Sequence, residues 1–287
     1  MVDTMRKRAQ RKSKPDITKP KKPKHITQKQ PEKVEKFSMS KNGWVAITLI
    51  SIFVLVLMLN TFFNFTSGVA YNQEGDGLEK YYLSGPDPYY NMRLVEETHD
   101  TGEYAFYGEE DPLLNYPLGR TGGGRAPLLV MSSLGFSKLL TPFMDEIDAI
   151  GLSMQFVPAL FGALLVFPIY FIGKTIFNKK AGLIAAFFLA IIPVHIGSGH
   201  GSAFSLFDHD SLNLLLFFLT FLFLILSIKE KNSTKSILYA ILGGIPLAGL
   251  SMVWTEAQFL YVVIAVYAFV QMIFDIFLNK IDLRVVR

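Results

Sequence analysis

The chain contains no cysteine among its 287 residues. That absence excludes disulfides, thiolate metal sites and a cysteine nucleophile, and it leaves the compartment open. No internal repeat is visible, so an inverted-repeat transporter lacks its usual sign. No Walker-type phosphate loop occurs. Acids are nearly missing from the apolar runs, where Asp275 near the end of the last run stands alone. What is present is hydrocarbon: 51% hydrophobic residues, 25 Phe and a mean hydropathy of +0.33. Such a chain is too apolar for one water-soluble core and reads as an all-α, multi-span membrane protein.

Charge is unevenly spread. Residues 1–42 hold 14 Lys/Arg against four Asp/Glu, in Lys-Pro runs without apolar periodicity. This end reads as a disordered basic tail that fixes topology against an anionic membrane face, with no role for nucleic acid. A bilayer core takes roughly 17–25 apolar residues per helix, and six stretches qualify: 44–63, 152–173, 181–197, 212–228, 237–254 and 257–278. The first is preceded by 42 residues, too many for a secretory signal, and is read as an uncleaved anchor over 43–63. A seventh run, "PLLVMSSLGFSKLLTPF" (127–143), is interrupted by serines and Lys138 and suits an interfacial or re-entrant helix. With six spans, the segments sharing a side with the basic tail carry Lys174, Lys179, Lys180, Lys229, Lys231, Lys235, Lys280, Arg284 and Arg287, as the positive-inside rule asks. The N-terminus is then cytoplasmic. The acidic segment 64–150, with 14 Asp/Glu against five Lys/Arg, lies outside with interfacial helices, and 151–287 supplies the other five spans.

Asp208 and Asp210 fall on the outer side, at the lip of a leucine- and phenylalanine-rich run. Carboxylates at a membrane edge are costly unless solvated, paired or bound to metal. In an extended segment, residues two apart point the same way, so the two acids can share one cation while His209 points elsewhere. Oxygen ligands with phosphate suit Mg²⁺ or Mn²⁺. A solvated helix start with Asp210 or Ser211 as N-cap is the competing explanation. Upstream, Pro86 and Pro88 hold Asp87 in a non-helical backbone ahead of a helix, which Asp87 can also cap. Tyr89 and Tyr90 would anchor that helix at the interface.

The stretch "DPYYNMRLVEETHDTGEYAFYGEEDPLLNYPLGR" (87–120), Pro127 and "FDHD" (207–210) together resemble the catalytic subunit of archaeal oligosaccharyltransferase, of the dolichyl-phosphooligosaccharide–protein glycosyltransferase family. The resemblance covers about 44–278 and implies a polytopic helical bundle of the GT-C glycosyltransferase type. It implies transfer of oligosaccharide from a dolichyl phosphate or pyrophosphate donor to Asn in N-x-Ser/Thr of an acceptor protein or peptide. It implies a Mn²⁺ or Mg²⁺ site formed by Asp87, Asp208 and Asp210, with Asp87 also catalytic, on the extracytoplasmic face of the plasma membrane. His209 inherits no role, because relatives with histidine in the second motif carry it last, where this chain has Asp210. Gly201 stands where relatives carry an arginine, with His200 beside it. A later catalytic Glu and a W-W-D motif of the family do not occur before Arg287, so the chain is expected to be a truncated N-terminal membrane portion that transfers poorly or not at all by itself.

Other residues have weaker signals. His195, His200 and His209 lie within 15 residues but match no common zinc spacing. Arg93, Arg120 and His200 are candidate substrate-binding residues. Arg120 and Arg125 flank "TGGG", which can cradle phosphate or serve as a flexible loop. Glu256 is read as a solvated helix start, and Asn64-Phe65-Thr66 as the one sequon on the outer side. Two other functions stay open: another polyprenyl-phosphate-dependent membrane glycosyltransferase, and a non-catalytic cation-binding membrane subunit.

Overall fold

The computed structural model describes residues 40–66, 75–105, 110–120, 125–192 and 201–278. The chain divides into Met1–Ser38 and Met39–Arg287, and everything described here belongs to the second unit. All but three residues of the expected basic tail, the side chain of Asn64, and His195 and His200 lie outside the described residues.

Helix α1 (Lys41–Thr66) is apolar on every side, as expected of a helix with protein on one face and lipid on the other. Leu49, Ile52 and Val56, spaced three and four apart, are buried, whereas Ile50, Val54 and Met58 are exposed. The amphipathic helix α2 (Pro86–Thr101) and the short apolar helix α3 (Leu128–Leu140) follow. At 13 residues, α3 is too short to cross a bilayer. Helices α4 (Glu146–Leu164) and α5 (Val166–Ile176) form one 31-residue span interrupted by a turn at Leu165. This is the central element, with half of its most apolar window buried.

The chain reverses through Asn178, whose side chain accepts the N–H groups of Lys180 and Ala181 and so caps α6 (Lys179–Phe188). Glycines let α5 and α6 approach closely: a Cβ on Gly173 would lie 2.9 Å from the Gly182 Cα. Three spans remain, α7 (Asp210–Lys229), α8 (Ser233–Ser251) and α9 (Gln258–Phe277). Among the described residues five helices are long and apolar enough to cross a membrane. The sixth expected span, 181–197, is seen as α6 and a 3-10 turn at Leu189–Ile191; its last residues are outside the described part.

The bundle's two ends differ in charge. At one end Lys179 reaches the Asn42 side chain at the start of α1, and Lys229 donates to the Thr175 carbonyl. At the other end α2, the start of α3, the start of α7 and the turn after α8 meet over a core containing Leu94, Val95, Val130, Met154, Phe207 and Val253.

Residues 201–208 form a fully buried, non-helical plug that delivers Asp208 to this end. Irregular backbone at such depth is tolerated only when protein groups satisfy it. The Phe204 N–H donates to the Asn60 carbonyl at 2.9 Å, the Ser205 N–H to the Gln155 carbonyl at 2.8 Å, and the Ser84 N–H to the Ser205 carbonyl at 2.8 Å. The Asn91 side-chain amide donates to the Phe207 carbonyl at 2.7 Å. Asn91→Leu would orphan that carbonyl, at a cost of about 1–3 kcal/mol. A depressed melting temperature in detergent is the expected result, and an unchanged one would mean that Asn91 does not hold the plug.

Candidate functional site

Helix α2 starts earlier than expected. Gly85, at φ 103°, is its N-cap and Pro86 its first residue, because proline at the first helical position lacks only an N–H that has no partner there. Asp87 is therefore inside the first turn, neither ahead of the helix nor its cap. It is an acid carried in the first turn, where negative charge is favoured.

The segment around Asp208 is also not extended. His209 is the N-cap of α7 with helical angles, φ −72° and ψ −16°, and Asp210 begins the helix. Neither Asp210 nor Ser211 caps it. The expected alternation fails for the same reason: in a tightening turn the imidazole folds back between the acids instead of pointing elsewhere. His209 Nδ1 lies 2.5 Å from Asp208 Oδ1, and its Nε2 lies 3.8 Å from Asp210 Oδ1.

Arg125, just before α3, connects the two acid-bearing segments. Its Nη2 lies 2.8 Å from Asp87 Oδ1 and its Nη1 2.9 Å from Asp208 Oδ1. Its guanidinium carbon sits 5.7 Å from the centre of the Tyr90 ring, and its carbonyl accepts the Tyr104 hydroxyl at 2.7 Å. The result is a chain of contacts running Asp87, Arg125, Asp208, His209, Asp210.

Burial separates the acids. Asp208's side chain is 7% exposed and Asp87's 56%. Burial works to raise the pKa of Asp208, but the hydrogen bonds and charge of His209 and the charge of Arg125 outweigh it and bring the carboxyl to about 2. For His209, burial works downward, and Asp208 together with Asp210 drives the imidazole above its ordinary value.

As arranged, no three acidic or imidazole groups among the described residues close on one point as metal ligands. Arg125 lies where the expected geometry would put an ion between Asp87 and Asp208. The donor chemistry nevertheless suits a hard divalent cation, and the guanidinium demonstrates that a positive charge is accommodated between these carboxylates. Asp87 and Asp208 offer the carboxylate oxygens that such a cation takes.

Two cavities meet at His209. One, of about 580 Å³, is the more polar of the two and is bordered by Asp87, Tyr90, Arg120, Arg125, His209 and Thr255. The other, of about 540 Å³, is mainly apolar and runs along α7 to α9, bordered by Asp210, Asn213, Phe217, Leu250, Trp254 and Phe259. Of the candidate substrate-binding residues, Arg120 borders the polar cavity. Arg93 does not: its guanidinium makes a bidentate pair with the buried Asp111, at 3.1 and 2.9 Å. Sequence reading missed Arg125 as a member of the cluster, and nothing local to "TGGGR" indicates that it reaches Asp208.

The N-terminal family model "Oligosaccharyl transferase STT3" matches residues 52–286. Dolichyl-phosphooligosaccharide-protein glycotransferase 3 of Archaeoglobus fulgidus is 31% identical over 112 residues, covering 39% of this chain and 12% of that protein. The glycosyltransferase subunit STT3 of Saccharomyces cerevisiae is 31% identical over 156 residues, covering 54% of this chain and 21% of that protein. This chain thus spans between about an eighth and a fifth of the length of these relatives. Among solved structures, the archaeal oligosaccharyltransferase AglB of A. fulgidus, in complex with an inhibitory peptide and a dolichol-phosphate, aligns with a TM-score of 0.67 at 22% identity over 81% of this chain and 26% of that one. An A. fulgidus oligosaccharyltransferase in complex with Zn and sulfate aligns with a TM-score of 0.63 at 22% identity over 77% and 27%.

Proposed function

The chain belongs to the oligosaccharyl transferase STT3 family, and from that membership we propose that it forms the membrane portion of an enzyme that glycosylates proteins on asparagine. The reaction moves an oligosaccharide from a lipid-linked phosphate or pyrophosphate to the side-chain amide of Asn in N-x-Ser/Thr. The chain is a multi-pass membrane protein. We assign its basic end to the cytoplasm and its acidic cluster to the outer face of the plasma membrane, following the positive-inside rule.

The observation that carries this reading is the convergence of Asp87 and Asp208, from segments far apart in sequence, on one guanidinium beside an apolar groove. Asp87, Asp208 and Asp210 are the proposed holders of Mn²⁺ or Mg²⁺. Such an ion, when bound, supplies Lewis-acid stabilisation of charge on the departing phosphate. Asp87, the most accessible of the Arg125-paired acids, accepts hydrogen bonds from the acceptor amide, whose delocalised lone pair makes it a poor nucleophile. Arg120 borders the cavity that receives the anionic head of the donor. The groove along α7 to α9 takes the isoprenoid, keeping water from the lipid end while His209 and Asp210 mark where polar chemistry begins.

A fluorescent peptide carrying N-x-Thr tests this directly in membranes containing the full-length enzyme of which this chain forms the membrane portion, supplied with dolichyl-linked donor. Glycopeptide should form, disappear with EDTA and return with Mn²⁺. Transfer to a sugar or lipid acceptor with none to peptide would identify a different polyprenyl-phosphate glycosyltransferase. Mn²⁺ binding without donor cleavage would indicate a cation-binding subunit.

A further inference from the structure

A single side chain holds both halves of the acidic cluster together. Arg125 uses one guanidinium nitrogen for Asp87 and the other for Asp208, each through the Oδ1 atom of the acid. The arginine is itself well fixed: Tyr104 anchors its backbone carbonyl and Tyr90 lies beneath its guanidinium. Asp208 is nearly out of solvent. An ionised carboxylate in that position needs a compensating cation at all times, because an unpaired buried charge is strongly unfavourable.

We propose that Arg125 is a built-in placeholder cation, which pairs Asp87 with Asp208 in the metal-free protein and is displaced when a divalent ion binds. The two states exclude one another. The ion needs carboxylate oxygens that the guanidinium already occupies, and a cation retained beside a dication would be repelled strongly at such short range. The displaced side chain has somewhere to go, since Arg125 borders the 580 Å³ cavity shared with Arg120. The arrangement keeps Asp87 and Asp208 near each other before metal arrives, and it makes the ion compete for them. Apparent affinity is then reduced by the fraction of protein in which Arg125 has withdrawn.

The inference rests on the proposed metal role of Asp87 and Asp208, and Mn²⁺ binding without any donor separates the two claims. Free Mn²⁺ is read by electron paramagnetic resonance during titration of the purified full chain and its Asp208→Asn, Arg125→Gln and Arg125→Lys variants. Arg125→Gln should bind Mn²⁺ more tightly, by roughly 10- to 100-fold if the withdrawn state is populated at about 1–10%. Arg125→Lys should also bind more tightly, because lysine keeps the charge but lacks the planar fork that spans two acids. A lysine variant that matched the wild type would show that charge alone holds the place and would support the placeholder, whereas a lysine variant that bound Mn²⁺ more weakly than the wild type would overturn it. Equal or weaker binding by Arg125→Gln would overturn it too, while leaving the metal site intact as long as Asp208→Asn still abolishes binding. Binding indifferent to Asp208→Asn, or no Mn²⁺ binding by any form, would remove the metal site and the placeholder with it.

Discussion

In the full-length enzyme Asp208→Asn is expected to lower Mn²⁺-dependent glycopeptide formation by about 10²- to 10³-fold, the scale seen when a group that stabilises transition-state charge is removed. The substitution keeps the shape and removes the charge. Because the carboxyl is held at about 2 by His209 and Arg125, Asp208 is fully ionised at any pH near neutrality, so the loss cannot be reproduced in the wild type by mild acidification. The alanine variant is a harsher test for a separate reason: it leaves Arg125 and His209 without their shared partner inside the protein. A melting curve therefore accompanies each activity measurement. Asp87→Ala and Asp210→Ala should abolish turnover as well, and unchanged turnover in all three variants would reject the site.

Much of this fold is legible in the apolar runs, since each described span lies under one of them and needs only hydrocarbon length to be recognised. The short α3 is legible too, because Lys138 and paired serines break its run. The local geometry of the acids is harder to read. Pro86 and Pro88 look like helix breakers in sequence, but the first turn is where proline fits, so α2 begins at Pro86 and takes in Asp87. At Asp208 an extended backbone is the natural expectation, whereas the chain already turns into α7 at His209. One backbone conformation thereby changes the histidine from bystander to partner of both acids. The plug has no periodicity to betray it. It is held by the backbone carbonyls of Asn60 and Gln155, which no side chain announces, and by the side chain of Asn91, a polar residue that looks like a defect in its own helix. Arg125 is equally hidden: its link to Asp208 spans 83 residues, a distance at which sequence pattern carries no information about contact.

Arg93 provides the sharpest separation between a structural and a substrate-binding arginine. Both of its terminal nitrogens are committed to Asp111, a fully buried acid that also accepts the Tyr90 hydroxyl and the N–H groups of Leu113 and Leu114. Burial pushes Asp111 toward the neutral form, but Arg93 and those N–H groups prevail and hold its pKa below the ordinary value. This knot ties the 110–120 segment, which ends in Arg120, to α2, which carries Asp87. Arg93→Met would fill a similar volume while leaving the carboxylate uncompensated. Breaking one side of a buried pair typically costs about 3–5 kcal/mol, and the lower end applies here because Arg93 is 22% exposed. The expected result is a large fall in melting temperature that the double variant Arg93→Met with Asp111→Leu reverses in part, since it removes the stranded charge while leaving the Tyr90 hydroxyl and the Leu113 and Leu114 N–H groups without their acceptor. A substrate-binding arginine behaves differently: its loss would raise the KM for donor with the melting temperature unchanged, and the second substitution would rescue nothing. The sign of the double variant decides between the two roles.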